Sequence, residues 1–182
     1  MSISGVLGAA STLIVGAPGM RFFLSGILRR RSSQAVVQRV ARLRDLTPGK
    51  PVQVSVVGNR RDAWTMYPDE TIGRVWLVRS DDDPQSEKPP TVTALTAVCP
   101  HLGCTVQLDS QGRHFVCPCH RAAFALDGQR LTGKQLREPN HAPRGMDSLE
   151  CRLVRDEASD DWWVEVQYEK FEQGLTRKLR QA

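Results

Sequence analysis

From Pro51 onward, apolar and polar positions alternate with the period of half-buried strands. Val52, Val54 and Val56 alternate with polar neighbours, Ile72 to Ser80 contains Val75-Trp-Leu-Val78, and Val92 to Val98 forms a third run. Thr105 to Val116 predicts a hairpin around Asp109-Ser-Gln-Gly112. Leu149 to Val154 and Trp162 to Tyr168 predict another across Asp156 to Asp161. Many short strands separated by turns predict an all-β antiparallel sandwich or barrel. The acidic, proline-containing stretch Asp81 to Pro90 reads as a surface loop.

Upstream, the period changes. Val36, Val37, Val40, Leu43 and Leu46 recur at three-to-four spacing, which predicts a helix over Ser32 to Leu46, stopped by Thr47-Pro-Gly-Lys-Pro51. Ile3 to Met20 is uncharged; Arg21, a second apolar run through Leu28, and Arg29-Arg-Arg31 follow. A run of about 18 apolar residues is near the lower limit for crossing a bilayer. The pattern predicts a transmembrane anchor over 1–28, a basic linker or helix over 29–50, a folded body over 51–170 and a tail over 171–182. A cleaved signal fits less well, because no basic segment precedes the apolar run. A buried amphipathic N-terminus is the remaining alternative.

Composition supports a globular body: of 182 residues, 40% are hydrophobic and 25% charged. The net charge of +5 is unevenly spread. Residues 1–50 hold eight Lys/Arg against one acid, or +7, leaving seventeen against nineteen, or −2, for the rest. The basic character belongs to the N-terminal segment, so no nucleic-acid footprint lies on the folded body.

Two short boxes carry the chemistry: Cys99-Pro-His101-Leu-Gly-Cys104 and, after twelve residues, Cys117-Pro-Cys119-His120. Each offers a metal one Cys and one His, with a second Cys alongside. Two thiolates and two imidazoles suit a [2Fe–2S] cluster of higher potential than an all-Cys one. They also satisfy a tetrahedral zinc site, but a zinc finger pairs Cys with Cys and His with His, whereas each box here mixes them. Gly103 allows a backbone shape that other residues resist. The fifth cysteine, Cys151, lies in a predicted strand and reads as a buried, inert thiol.

The boxes resemble those of Rieske iron–sulfur proteins, specifically the disulfide-bearing type found as a subunit of cytochrome bc-type quinol:cytochrome c oxidoreductases. Asn140-His-Ala-Pro-Arg-Gly-Met-Asp-Ser-Leu149 is similar to the family's proline loop, and Leu46-Thr-Pro-Gly-Lys-Pro51 to its entry into the first strand. The resemblance implies one Rieske-type [2Fe–2S] cluster per chain, with Cys99 and Cys117 on one iron and His101 and His120 on the other. It implies a Cys104–Cys119 disulfide and a cluster-binding subdomain, about 98–143, inserted into a β base domain. It makes His120 the catalytic contact that takes a quinol's proton, with His101 the other exposed ligand and Leu102 packing at the quinol pocket. Ala142 and Pro143 of the proline loop cover the cluster, and Leu46 to Pro51 form part of a tether for a swinging head.

Partners implied are cytochrome b-type and c-type subunits, a quinol and membrane lipid, in a bacterial-type cell membrane with the Rieske domain on its oxidising, outer side. A disulfide favours that side. The positive charges after the apolar run favour the opposite orientation, a conflict that basic residues upstream of Met1 would remove. A Rieske subunit of another periplasmic oxidoreductase, a soluble Rieske ferredoxin and, remotely, a zinc-binding interaction module are the alternatives.

The departures from the family are informative. High-potential members continue the second box with Gly-Ser-x-Tyr, whereas here it reads Arg121-Ala122-Ala-Phe124. The Ser and Tyr hydroxyls that donate to cluster and ligand sulfurs are absent, which predicts a low potential and favours menaquinol as donor. Arg121 partly opposes this as a nearby cation. In the proline loop, Asn140-His141 replace the family's Gly-Pro, and His141 reads as a surface residue.

Overall fold

The computed structural model describes residues 14, 16–24, 35–62, 65–80, 90–133, 136 and 139–181. Among them the alternating segments form strands β1 (Val36–Arg42), β2 (Val52–Asp62), β3 (Thr65–Arg79), β4 (Val92–Thr96), β5 (Gln107–Leu108), β6 (Phe115–Val116), β7 (Ala123–Phe124), β8 (Ser148–Asp156) and β9 (Asp161–Tyr168). Six make one sheet in the order β1-β9-β8-β4-β3-β2, every neighbouring pair antiparallel. The sheet curls until its edges meet, where the Val57 amide of β2 donates to the Gln38 side-chain oxygen of β1 at 3.0 Å. The all-β expectation therefore takes the form of an antiparallel near-barrel. A small sheet, β5-β6-β7, is inserted in the chain between β4 and β8.

The expected helix over Ser32 to Leu46 is not formed. Its described part is β1, paired with β9, followed by a 3₁₀ turn at Leu43–Asp45. A spacing of four, as between Val36 and Val40, satisfies a helix and a strand alike. Partnership with β9 decides between them, turning Val36, Gln38 and Val40 inward and Val37 and Arg39 outward. Nor is Leu46 to Pro51 a tether. Leu46 is buried, the Gly49 amide donates to Arg79 O at 3.0 Å, and the Arg79 guanidinium donates to the carbonyls of Leu43 and Leu46.

At the N-terminus Ile14 and residues 16–24 are helical. No helix among the described residues is long and apolar enough to cross a membrane. Most of the expected anchor, and residues 81–89 of the loop expected at Asp81 to Pro90, lie outside the described residues.

Two apolar cores follow the two sheets. The base core gathers Leu46, Val56, Val75, Leu77, Val164 and Val166. Gly73 is required there: a Cβ on it would sit 2.0 Å from the Tyr168 ring. The smaller core packs Val106, Phe115 and Phe124 against Trp76 and Leu95 of the base. Trp76 joins the two, its indole N–H donating to Val106 O at 3.1 Å and its ring 5.1 Å from that of Phe115. The inserted head is thus held by the base as a rigid platform.

Candidate metal centre

Both boxes are loops of the same construction. The Cys99 amide donates to Cys104 O at 2.8 Å, and the Cys117 amide donates to Ala122 O at 2.8 Å. Each loop is thereby closed across five residues, with its first Cys at the base and its His at the tip. Gly103 takes φ +81° in the first loop, where a Cβ would strain the backbone. In the second loop the same left-handed region is occupied by Arg121, at φ 55°.

Cys104 and Cys119 are joined by a disulfide, their Cα atoms 6.6 Å apart. Cys99 and Cys117 remain free thiols, each 1% exposed. Cys117 Sγ lies within 4.8 Å of both disulfide sulfurs, but those are consumed in their bond and have no thiolate to offer a metal. The imidazoles of His101 and His120 meet edge to face, centroids 4.8 Å apart, His101 half-buried and His120 exposed. Leu102 beside them is 65% exposed.

Burial pushes the Cys99 thiol up to about 11; the backbone N–H groups of His101 and Leu102 oppose the shift, and neighbouring Cys117 reinforces it. A raised Cys99 thiol in an apolar core, with backbone amides already directed at its sulfur and Cys117 beside it, suits a metal able to displace its proton. A buried pair of thiols and a separate pair of more exposed imidazoles fits two irons with unlike ligands better than one tetrahedral zinc. The residues present fit a [2Fe–2S] group.

Two of the expected tuning positions share one buried core with Cys99 and Cys117. Ala122 and Phe124 are fully buried and carry no hydroxyl. In the 139–147 loop, Ala142 is buried and Pro143 half-buried. The Asn140 amide group donates to Ala123 O at 2.7 Å and Leu131 O at 3.0 Å, while its oxygen accepts the Ala142 N–H at 3.0 Å. Arg130 donates to Ala142 O at 2.8 Å. These bonds hold the loop where the family's proline ring is missing. His141 is exposed, its ring 6.3 Å from that of His101 and inclined by 26°. His114 lies apart in the β5–β6 hairpin, 3.5 Å from Asp109.

Two contributors escaped the sequence reading. Arg144 forms an ion pair with Asp147 and bonds to two carbonyls of the C-terminal tail. That tail in turn reaches the first box, the Gly174 amide donating to Pro100 O at 2.9 Å. Arg144 and Asp147 at i, i+3 were a visible signal; the tail carried none. For Asn140, the cue was an Asn two residues before an amide it can cap.

Residues 36–150 match the sequence profile of the Rieske [2Fe-2S] domain. The chain is 33% identical over 137 residues to the menaquinol:cytochrome c reductase iron-sulfur subunit of Bacillus subtilis, covering 72% of this chain and 73% of that one. It is 31% identical to the subunit of the same name from Geobacillus thermodenitrificans, with the same coverage. Among solved structures, a chain of a hyperthermophilic respiratory Complex III is similar at 19% identity and a TM-score of 0.37, covering 88% of this chain and 99% of that one.

Proposed function

The chain belongs to the Rieske [2Fe-2S] family and carries that family's cluster, and from this membership we propose that it is the electron-transfer subunit of a menaquinol:cytochrome c reductase. Cys99 and Cys117 hold the cluster as thiolates, and His101 and His120 hold it as neutral imidazoles. When bound, the cluster supplies one-electron redox chemistry. The observation that carries the reading is the paired imidazoles, 4.8 Å apart, in the same two boxes as two buried free thiols.

A quinol gives up two electrons and two protons. One electron leaves through this chain toward a c-type cytochrome, and the other through a cytochrome b-type subunit. His120, the exposed imidazole, would hold the cluster through one ring nitrogen, which leaves the other for a hydrogen bond. That nitrogen accepts a hydrogen bond from the quinol hydroxyl and then its proton. Leu102 offers apolar surface to the quinol ring. Ala142 and Pro143 cover the pocket from the side, limiting water.

The membrane setting follows the same reading. Residues 1–28 anchor the chain, supported by the apolar run whose Ile14, Met20, Phe22 and Phe23 are exposed. The Cys104–Cys119 disulfide favours the oxidising face for the head and counts against a soluble ferredoxin.

The test is the full chain in its membrane complex. Purified protein should show the visible absorption and circular dichroism of an oxidised Rieske centre and reduce a c-type cytochrome with menaquinol. His120→Ala should remove the spectrum and the activity together. A spectrum retained in that variant defeats the ligand assignment, and a colourless, zinc-loaded wild type defeats the redox reading.

A further inference from the structure

Three imidazoles gather at the first box. His101 has His120 edge-on at 4.8 Å and His141 near-parallel at 6.3 Å. His120 and His141 are exposed and His101 is half-buried. His141 occupies the place where the family's loop has a proline, a residue with no ring nitrogen to offer a hydrogen bond.

The placement of His141 is built. Both of its chain neighbours are pinned. Asn140 donates to Ala123 O and Leu131 O, and its oxygen accepts the Ala142 amide. The Ala142 carbonyl accepts from Arg130 at 2.8 Å, and its side chain is buried. A backbone fixed on both sides leaves the His141 ring little freedom beyond its own torsions. Its ring makes no hydrogen bond among the described residues, so its nitrogens are open to an incoming group.

We propose that His141 is a specificity-determining residue for the quinol: its ring flanks that of His101, leaving His120 as the more open ligand, and adds a third hydrogen-bonding imidazole to the donor's docking face. The proposal rests on the quinol-oxidising reading above. Asn140 acts through His141, as the positioning residue that holds the loop.

The experiment compares wild type, His141→Ala and His141→Gln in the intact complex, and labels the purified full chains with an imidazole-acylating reagent mapped by peptide mass spectrometry. Losing one docking hydrogen bond raises the KM for menaquinol about fivefold in His141→Ala with kcat nearly unchanged, and Gln recovers part of it. His101 is acylated several-fold faster in His141→Ala, while the visible circular dichroism and reduction by dithionite stay as in wild type. An unchanged KM in a quinol-active complex overturns the proposal alone. So does a KM change accompanied by an altered spectrum and altered dithionite reduction, the mark of a merely structural role. A wild-type complex that keeps its cluster spectrum but does not oxidise quinol overturns the functional reading and the proposal together.

Discussion

Arg144 and Asp147 form a two-pronged ion pair, Nε to Oδ1 at 2.8 Å and Nη2 to Oδ2 at 2.7 Å, with side chains only 9% and 6% exposed. The same guanidinium donates to the carbonyls of Glu172 at 2.7 Å and Leu175 at 2.6 Å. Asp147 O accepts the Thr96 amide at the end of β4. The Arg144 side chain therefore joins the 139–147 loop to the tail that leans on Pro100, and the Asp147 carbonyl ties the same loop to the base sheet.

Removing one partner of a buried ion pair leaves the other charge desolvated and unpaired, at a cost of about 3–5 kcal/mol. Arg144→Ala should therefore lower the denaturant midpoint substantially without touching any candidate ligand. It should also expose residues 171–181 to limited proteolysis under conditions where wild type is resistant. A midpoint within error of wild type would show that the tail is held by its other contacts, such as Lys178 to Ser148 O.

The disulfide acts on the loops themselves. Cys104 and Cys119 are separated by 15 residues, and closing a loop of that length stabilises a fold by about 3 kcal/mol in the chain-entropy account. Replacing both with Ser should leave the four candidate ligands in place but let the boxes part more readily. The expected outcome is faster bleaching of the visible spectrum in mild denaturant, with wild type treated with a thiol reductant approaching the variant.

Local patterning made most of the base legible. Period-two alternation marked β2, β4, β8 and β9, and the boxes announced themselves because ligand chemistry needs specific residues at short spacing. What stayed hidden was non-local. Val36 and Val40 suit two periodicities, and only the β9 partner resolves them. Arg144 and Asn140 act on carbonyls far along the chain, which no window of sequence contains. Arg121 was visible as a departure from glycine, but its backbone angle was not.

Arg121 holds φ 55°, a left-handed conformation that costs an ordinary side chain about 1–2 kcal/mol. Glycine adopts it freely but loses more freedom on folding. Arg121→Gly should thus stabilise the domain by about 1 kcal/mol, read as a small rise in the denaturant midpoint. A fall would mean that side-chain interactions of Arg121 outweigh its backbone strain.

Cys151 is the thiol the boxes do not use. Half-buried in β8, it is pushed up to about 11 by burial alone. A raised thiol stays protonated, so at pH 8 about one molecule in a thousand carries the reactive thiolate. Labelling of Cys151 in the folded chain by a thiol reagent should be slow at pH 8 and accelerate about tenfold per pH unit toward 11. Labelling at pH 8 as fast as in unfolded protein would contradict the burial.

The last prediction concerns the two missing hydroxyls. Ala122 and Phe124 are fully buried beside the second box, Ala122 O already closing the loop on the Cys117 amide. A hydroxyl donating to a cluster or ligand sulfur favours the reduced form, because that form carries the extra negative charge. A charge-assisted hydrogen bond is worth about 1.5 kcal/mol, which for one electron corresponds to about 60 mV. Ala122→Ser and Phe124→Tyr should each raise the midpoint potential by about that amount, and the double variant by more than either. Phe124→Leu, which changes packing without adding a donor, is the control and should leave the potential near wild type. Redox titration followed by visible circular dichroism measures all four proteins. If the Ser and Tyr variants keep the wild-type spectrum and the wild-type potential, their hydroxyls do not reach the sulfurs, and the low potential expected of this chain must have another origin.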